Sequence, residues 1–268
     1  MKIQTLCSVA LLHLALCCTA PVELLAYDGF DYTAGDLTGK SGGSGWSGAY
    51  TESDNSTIYT TPGLAYTGLT TIGGASKTNG ASGITTINFR NVGTTYGDDK
   101  LESWISFLAQ RNGAASTVTF AELSFYNSTG ILAANSEVPF ANGGTSGAWR
   151  ILDNGTSVSA SIAVVPASDT PYLLVVRIRW GAGASGADAV SLYVNPSLGS
   201  PPVVADASND VAVTNFDKVR IAGQSAVNYT FDEIRVGTSF FAATGQPEPI
   251  PPPIHLTVIR SSANYDFT

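Results

Sequence analysis

Cysteine is absent from this 268-residue chain beyond its first twenty residues. Cys7, Cys17 and Cys18 all lie in an apolar N-terminal run, so we expect no disulfide and no thiolate metal site in the remainder. Histidine is almost as scarce, since His13 lies in the same run and His255 lies close to the C-terminus. A histidine-based catalytic triad or metal cluster is therefore excluded from the intervening chain.

Charged residues are also few, at 13% of the chain, and they sum to a net charge of −8. Lysine and arginine do not cluster, which argues against nucleic acid or an anionic membrane as the partner. No apolar run reaches the roughly 20 residues that a membrane-spanning helix needs. No long stretch shows helical periodicity, so the pattern also argues against an α/β enzyme fold.

The N-terminal run has the features of an export signal. Lys2 precedes an apolar segment, and Cys18-Thr19-Ala20 is a small-residue cleavage site, so residues 1–20 are predicted to be a signal peptide. Cleavage as late as Ala26 is an alternative, and so is lipidation at Cys17. The prediction is a secreted or cell-surface protein.

The rest of the chain is rich in short alternating segments separated by turn residues, and its 28 glycines suit many tight turns. We predict about a dozen strands over residues 27–243. One is predicted at residues 64–72, and the clearest, at residues 100–110, is predicted to pair across Asn112-Gly113 with residues 117–126. The fold predicted is all-β, a two-sheet antiparallel jelly-roll sandwich.

Proline marks the end of this domain. Residues 244–253 read as a stiff proline-rich linker. Residues 254–268 resemble the start of a second β module, which is too short to bury a core.

Several segments together resemble concanavalin A-like, laminin-G-like jelly-roll domains of exported surface proteins in Verrucomicrobia- and Planctomycetes-type bacteria. The segments that carry the resemblance are residues 27–32, 45–48, 104–108, 174–177, 190–196 and 231–237. The likeness implies that the first and last strands lie side by side. It also implies binding or surface roles more often than catalysis.

Glycosidases of this fold place two Glu and one Asp at alternate positions of one strand, because the reaction needs two carboxylates about 5–5.5 Å apart. The nearest match here keeps only Glu122, with Ser124 and then Tyr126 or Asn127 at the other positions. Alternation also predicts that Asp232 and Glu233 face opposite sides of their strand. No catalytic residue is therefore predicted, and the reading is against an enzyme.

The resemblance implies one structural Ca²⁺ where the last strand meets the first. Its predicted ligands are Asp232, Asp28 and Asp31, because hard cations take carboxylate and carbonyl oxygens. The alternative is that Asp232 caps a turn or pairs with Arg235, Lys218 or Arg220.

Aromatic rings between hydrogen-bonding side chains are typical of sugar recognition. A ligand face with this character is predicted from Glu102, Trp104, Glu122, Tyr126, Arg177, Arg179 and Tyr193. The alternative is an ordinary sheet face in which Trp104 packs under a loop. The function predicted is a non-catalytic binding module for polysaccharide or cell-surface glycan. A structural or adhesive spacer, and a glycoside hydrolase or polysaccharide lyase with an atypical site, are the alternatives.

Overall fold

The computed structural model describes residues 22–79, 84–97, 101–113, 120–126, 136–141, 148–153, 157–161, 165–211, 215–224 and 228–250. The predicted signal peptide and second β module lie outside these residues and stay predictions. Within the described ranges, no helix has the length and apolar character to cross a membrane.

These residues form sixteen strands, one short α-helix and one turn of 3-10 helix at Ala184–Gly186. In chain order they are β1 (Leu24–Asp28), β2 (Gly35–Asp36), β3 (Trp46–Glu52), β4 (Ile58–Thr60), β5 (Ala75–Lys77), β6 (Thr85–Gly97), β7 (Glu102–Asn112), β8 (Phe120–Tyr126), β9 (Ser136–Ala141), β10 (Trp149–Asp153), β11 (Ser157–Ser161), β12 (Pro171–Arg179), β13 (Asp188–Val194), β14 (Ala207–Val211), β15 (Asn215–Gln224), β16 (Asn228–Gly237) and α1 (Phe240–Thr244).

The strands build two antiparallel sheets, which confirms the predicted fold class. Sheet A has nine strands in the order β14-β13-β12-β7-β16-β5-β4-β2, with β1 also paired to β16. Sheet B has seven strands in the order β11-β10-β9-β8-β15-β6-β3. The pairing of Asp28 with Ile234 confirms that the first and last strands lie side by side.

The main core lies between the sheets. Alternation along β7 turns Ile105 and Phe107 inward, and along β8 it turns Leu123 and Phe125 inward from the opposite sheet. All four are fully buried. Each such side chain contributes about 1.5–3 kcal/mol of transfer free energy, so this layer holds the sandwich together without disulfides.

The predicted hairpin between β7 and β8 is wrong. β7 lies in sheet A between β12 and β16, whereas β8 lies in sheet B between β9 and β15. Asn112-Gly113 does turn the chain, with Gly113 at a φ of 94°. A local turn signal does not specify which sheet the next strand joins, and here the chain crosses to the other layer.

The strand predicted at residues 64–72 is also wrong, because residues 61–74 form a loop that we call the strap. Three side chains of β16 hold it over the outward face of sheet A. The Leu64 amide donates to Asp232 Oδ2 at 2.7 Å, and the Ile72 amide donates to Glu233 Oε1 at 2.7 Å. Arg235 Nη2 donates to the strap carbonyl of Thr70 at 2.9 Å. These hydrogen bonds to side chains hold the segment in place of the backbone pairing that a strand would make.

Helix α1 packs beside the strap. The Ser239 side chain accepts a hydrogen bond from the Ala242 amide, and Gly245 ends the helix at a φ of 65°. Phe240 and Phe241 are buried in a second apolar cluster with Leu64 and Trp104, on the outward side of sheet A. The strap and α1 therefore cover part of that face.

Candidate functional site

The predicted ligand face is divided between the two sides of the sandwich. Five of its residues belong to β7, β12 and β13 of sheet A: Glu102, Trp104, Arg177, Arg179 and Tyr193. Glu122 and Tyr126 belong to β8 of sheet B. The two sheets lie on opposite sides of the shared core, and Trp104 and Glu122 are both turned away from that core. The predicted single face therefore does not exist.

Trp104 and Tyr193 lie under the strap and α1. Their rings stack with centroids 6.1 Å apart, and Phe240 meets Trp104 edge-on at 5.6 Å. Trp104 is only 2% exposed and Tyr193 only 4%. The prediction that these rings present a stacking surface is wrong, and the structure instead matches the alternative, in which Trp104 packs under a loop. The further cover by α1 was not predicted.

Glu102 and Arg177 form the border of this covered region. Arg177 Nη2 lies 2.5 Å from Glu102 Oε2, and the pair is about one-third exposed. Trp104 Nε1 donates to Glu102 Oε1 at 2.7 Å, and the Arg177 guanidinium lies 5.1 Å from the Trp104 ring centroid. The charge of Arg177 is therefore balanced within the protein.

Beyond this border the outward face of sheet A is open and forms a polar trough. Arg179 on β12 lies opposite Ala189 on β13, which lies opposite Asp210 on β14. In the next row, Ser191 on β13 lies opposite Ser208 on β14. The trough exists because β13 places the small side chains of Ala189 and Ser191 between the longer ones of Arg179 and Asp210, and its volume is about 350 Å³.

Several polar side chains of the trough have no partner among the residues that the structure describes. Within the described part of the chain, Arg179, Ser191 and Ser208 make no side-chain hydrogen bond or ion pair. Asp210 is held in place, since its Oδ2 accepts from the Ala184 amide at 2.8 Å. Gly183 permits this close approach, because a side chain there would collide with Asp210. The trough thus presents donors and acceptors suited to hydroxyl groups.

Glu122 lies instead in a buried polar cluster on the outward face of sheet B. It pairs with Arg220, and the two side chains are 3% and 14% exposed. Ser124 and Arg150 are buried on the same face. Tyr126 lies opposite Lys218 in the register of β8 and β15. A carboxylate committed to a buried ion pair stabilises the sheet and is a poor ligand group.

The predicted calcium residues do not share one site. Asp28 Oδ2 accepts from Arg90 Nη1 at 2.5 Å and from the hydroxyls of Tyr32 and Tyr50. Asp31 is exposed. Across the described ranges, no group of three or more His, Cys, Asp or Glu side chains is arranged to hold a metal ion. A guanidinium occupies the position facing Asp28 where a cation would bind, so this set does not fit Ca²⁺. Calcium binding itself stays a prediction.

Alternation predicted that Asp232 and Glu233 face opposite sides of β16, and this prediction is wrong. A bulge in β16, with Glu233 at a φ of 55°, lets both carboxylates bind the strap. Burial raises the pKa of Asp232 to about 8 and raises the pKa of Glu233. Arg235 pairs with Glu233 rather than with Asp232.

Sequence reasoning missed the strap and the trough for different reasons. The strap depends on the bulge, which no local pattern indicates. The trough had a readable signal, because alternation along Asp188–Val194 places Ala189 and Ser191 on the face opposite the core residues Val190 and Leu192.

No protein-family model and no curated protein matches the sequence. Among solved structures, the chain is similar to an endo-β-1,4-glucuronan lyase from the fungus Trichoderma reesei, with 12% identity over 84% of this chain and 100% of that one and a TM-score of 0.44. It is also similar to a carbohydrate-binding module from Bacillus subtilis (10% identity, 74% and 94% coverage, TM-score 0.42). Lectin II from Ulex europaeus gives 9% identity, 77% and 98% coverage, and a TM-score of 0.44. Likenesses this distant carry no argument about function. The class of protein, an all-β two-sheet sandwich, follows from the sheets themselves.

Proposed function

We propose that this chain is an exported, non-catalytic module that binds polysaccharide in the trough of sheet A. The observation that carries the proposal is the open 350 Å³ trough whose Arg179, Ser191 and Ser208 side chains have no partner in the described chain. Saccharides present many hydroxyl groups, and a concave site with a few placed polar groups orients such ligands. A secreted or cell-surface location belongs to the same proposal and depends on the predicted signal peptide.

The test is to fill the trough without touching the core. Ser191→Trp places an indole over the small floor of β13, whereas Ser191→Ala leaves the trough open. Thr94→Trp, at an exposed position of β6, adds the same ring to the other sheet. A glycan array followed by titration calorimetry should show full binding by the unsubstituted protein and by Thr94→Trp, weaker binding by Ser191→Ala, which loses one hydroxyl, and loss of binding by Ser191→Trp.

Two results would count against the proposal. If Ser191→Trp bound glycan as tightly as the unsubstituted protein, the binding site would have to lie outside the trough. Absence of binding across a broad glycan array would favour the rival role, a structural or adhesive spacer domain.

A further inference from the structure

Arg179 is the one positively charged side chain that lines the trough. It lies opposite Glu102 in the register of β12 and β7, but no described carboxylate is within ion-pair distance of it. Arg177, two residues earlier on β12, is paired with Glu102 through bonds of 2.5 and 2.8 Å. Arg90 and Arg235 are likewise paired with Asp28 and Glu233. Arg179 is exposed and has no such partner within the described ranges.

The two walls of the trough differ in charge. Arg179 lies on the β12 wall, and Asp210 lies on the β14 wall, separated by β13. Two strand spacings put these walls roughly 9–10 Å apart. Because the Ala184 amide orients Asp210 from the turn at its side, its carboxylate stays on its own wall. A ligand in the trough therefore meets a guanidinium on one side and hydroxyl-binding groups on the other.

We infer that the trough binds acidic saccharides, with a carboxylate or sulfate group of the sugar paired to Arg179 and its hydroxyls directed to Ser208 and Asp210. This inference rests on the proposed function and specifies its ligand class. A guanidinium binds planar carboxylate or sulfate oxygens through two parallel hydrogen bonds, which an ammonium group cannot reproduce. The small floor at Ala189 and Ser191 leaves room for the ring between the walls.

The expected effect of removing Arg179 is moderate because the site is open to water. Charge-assisted hydrogen bonds at such sites correspond to about a tenfold change in affinity. Binding should also weaken as salt rises, because an exposed pair is screened over a Debye length of about 8 Å at physiological ionic strength.

The experiment is titration calorimetry with two matched pairs of polymers. Polygalacturonate is compared with its fully methyl-esterified form, and dextran sulfate with dextran, so that each pair differs in charge on one backbone. The proteins are the original chain, Arg179→Ala, Arg179→Lys and Lys77→Ala, the last removing a charge from β5 outside the trough.

We expect one acidic polymer to bind more tightly than its neutral partner. Arg179→Ala should lower the affinity for that acidic polymer about tenfold, and Arg179→Lys should lower it less. Lys77→Ala should leave it unchanged. The preferred acidic polymer distinguishes carboxylate from sulfate. Equal affinity for the neutral and acidic polymers, together with unchanged affinity in Arg179→Ala, would overturn the acidic specificity. It would leave the proposal of binding in the trough intact. If Lys77→Ala lowered the affinity as much as Arg179→Ala, the specific role of Arg179 would also be overturned, since the attraction would then come from the overall charge of the protein. Binding of none of the four polymers would overturn the acidic specificity, and it would overturn the proposed function as well if the broad glycan array also showed no binding.

Discussion

The buried pair of Arg90 and Asp28 gives the sharpest prediction about stability. Both side chains are at most 2% exposed, and the Arg90 guanidinium lies about 5 Å from the ring centroids of Trp46 and Tyr50. Burial raises the pKa of Tyr50 well above its ordinary value, so its hydroxyl stays protonated and donates to Asp28. The substitution Asp28→Asn removes the carboxylate charge and leaves the guanidinium buried without its counterion.

Breaking a buried ion pair from one side costs about 3–5 kcal/mol. Domains of this kind have unfolding free energies of about 5–15 kcal/mol, so the variant should remain measurable by urea denaturation. The matched control is Asp31→Asn, three residues away and exposed, which should change stability by no more than about 0.5 kcal/mol. Both are measured in EDTA and in calcium.

The reasoning about Asp28 is refuted if Asp28→Asn and Asp31→Asn destabilise equally. It is also refuted if the loss for Asp28→Asn appears only in the presence of calcium, because Asp28 would then act as a metal ligand and not as the partner of Arg90.

Three further predictions concern Trp104, Glu122 and Asp232. Trp104→Ala should destabilise the fold by about 3–5 kcal/mol in urea denaturation, because it empties the cluster beneath the strap; unchanged stability with lost glycan binding would show that the ring is a ligand surface after all. Glu122→Gln should cost about 3 kcal/mol by removing the carboxylate paired with Arg220, with polysaccharide affinity unchanged in calorimetry, and the reverse pattern would assign Glu122 to a binding site. Asp232 should make the protein less stable as pH rises from about 4 to about 8, because the folded state binds a proton there that the unfolded chain has released. Asp232→Asn should flatten that slope in EDTA, and an unaltered slope would contradict the assignment.

Much of the architecture could be predicted from alternation and turn residues. The strands β7 and β8 lie close to the positions predicted for them, residues 100–110 and 117–126, since each has a period of two. The closure of β1 on β16 was predicted from a resemblance and is confirmed by the register.

What could not be predicted depends on contacts between distant parts of the chain. Alternation placed Trp104 on the outward face correctly, and a covering loop was one alternative. Its identity as the strap at residues 61–74, held by side chains from β16, could not be predicted. The polar partners of Asp28 come from Tyr32, Tyr50 and Arg90, and no spacing rule links them. The five residues of α1 are too few for helical periodicity, although Ser239 and Gly245 mark its ends.

The central claim is that a saccharide occupies the trough between β12 and β14. A crystal structure of the protein with an acidic oligosaccharide tests it most directly. The account predicts ligand density beside Arg179, Ser191 and Ser208, with the acidic group at Arg179. Density on the outward face of sheet B beside Glu122, with an empty trough, would contradict it.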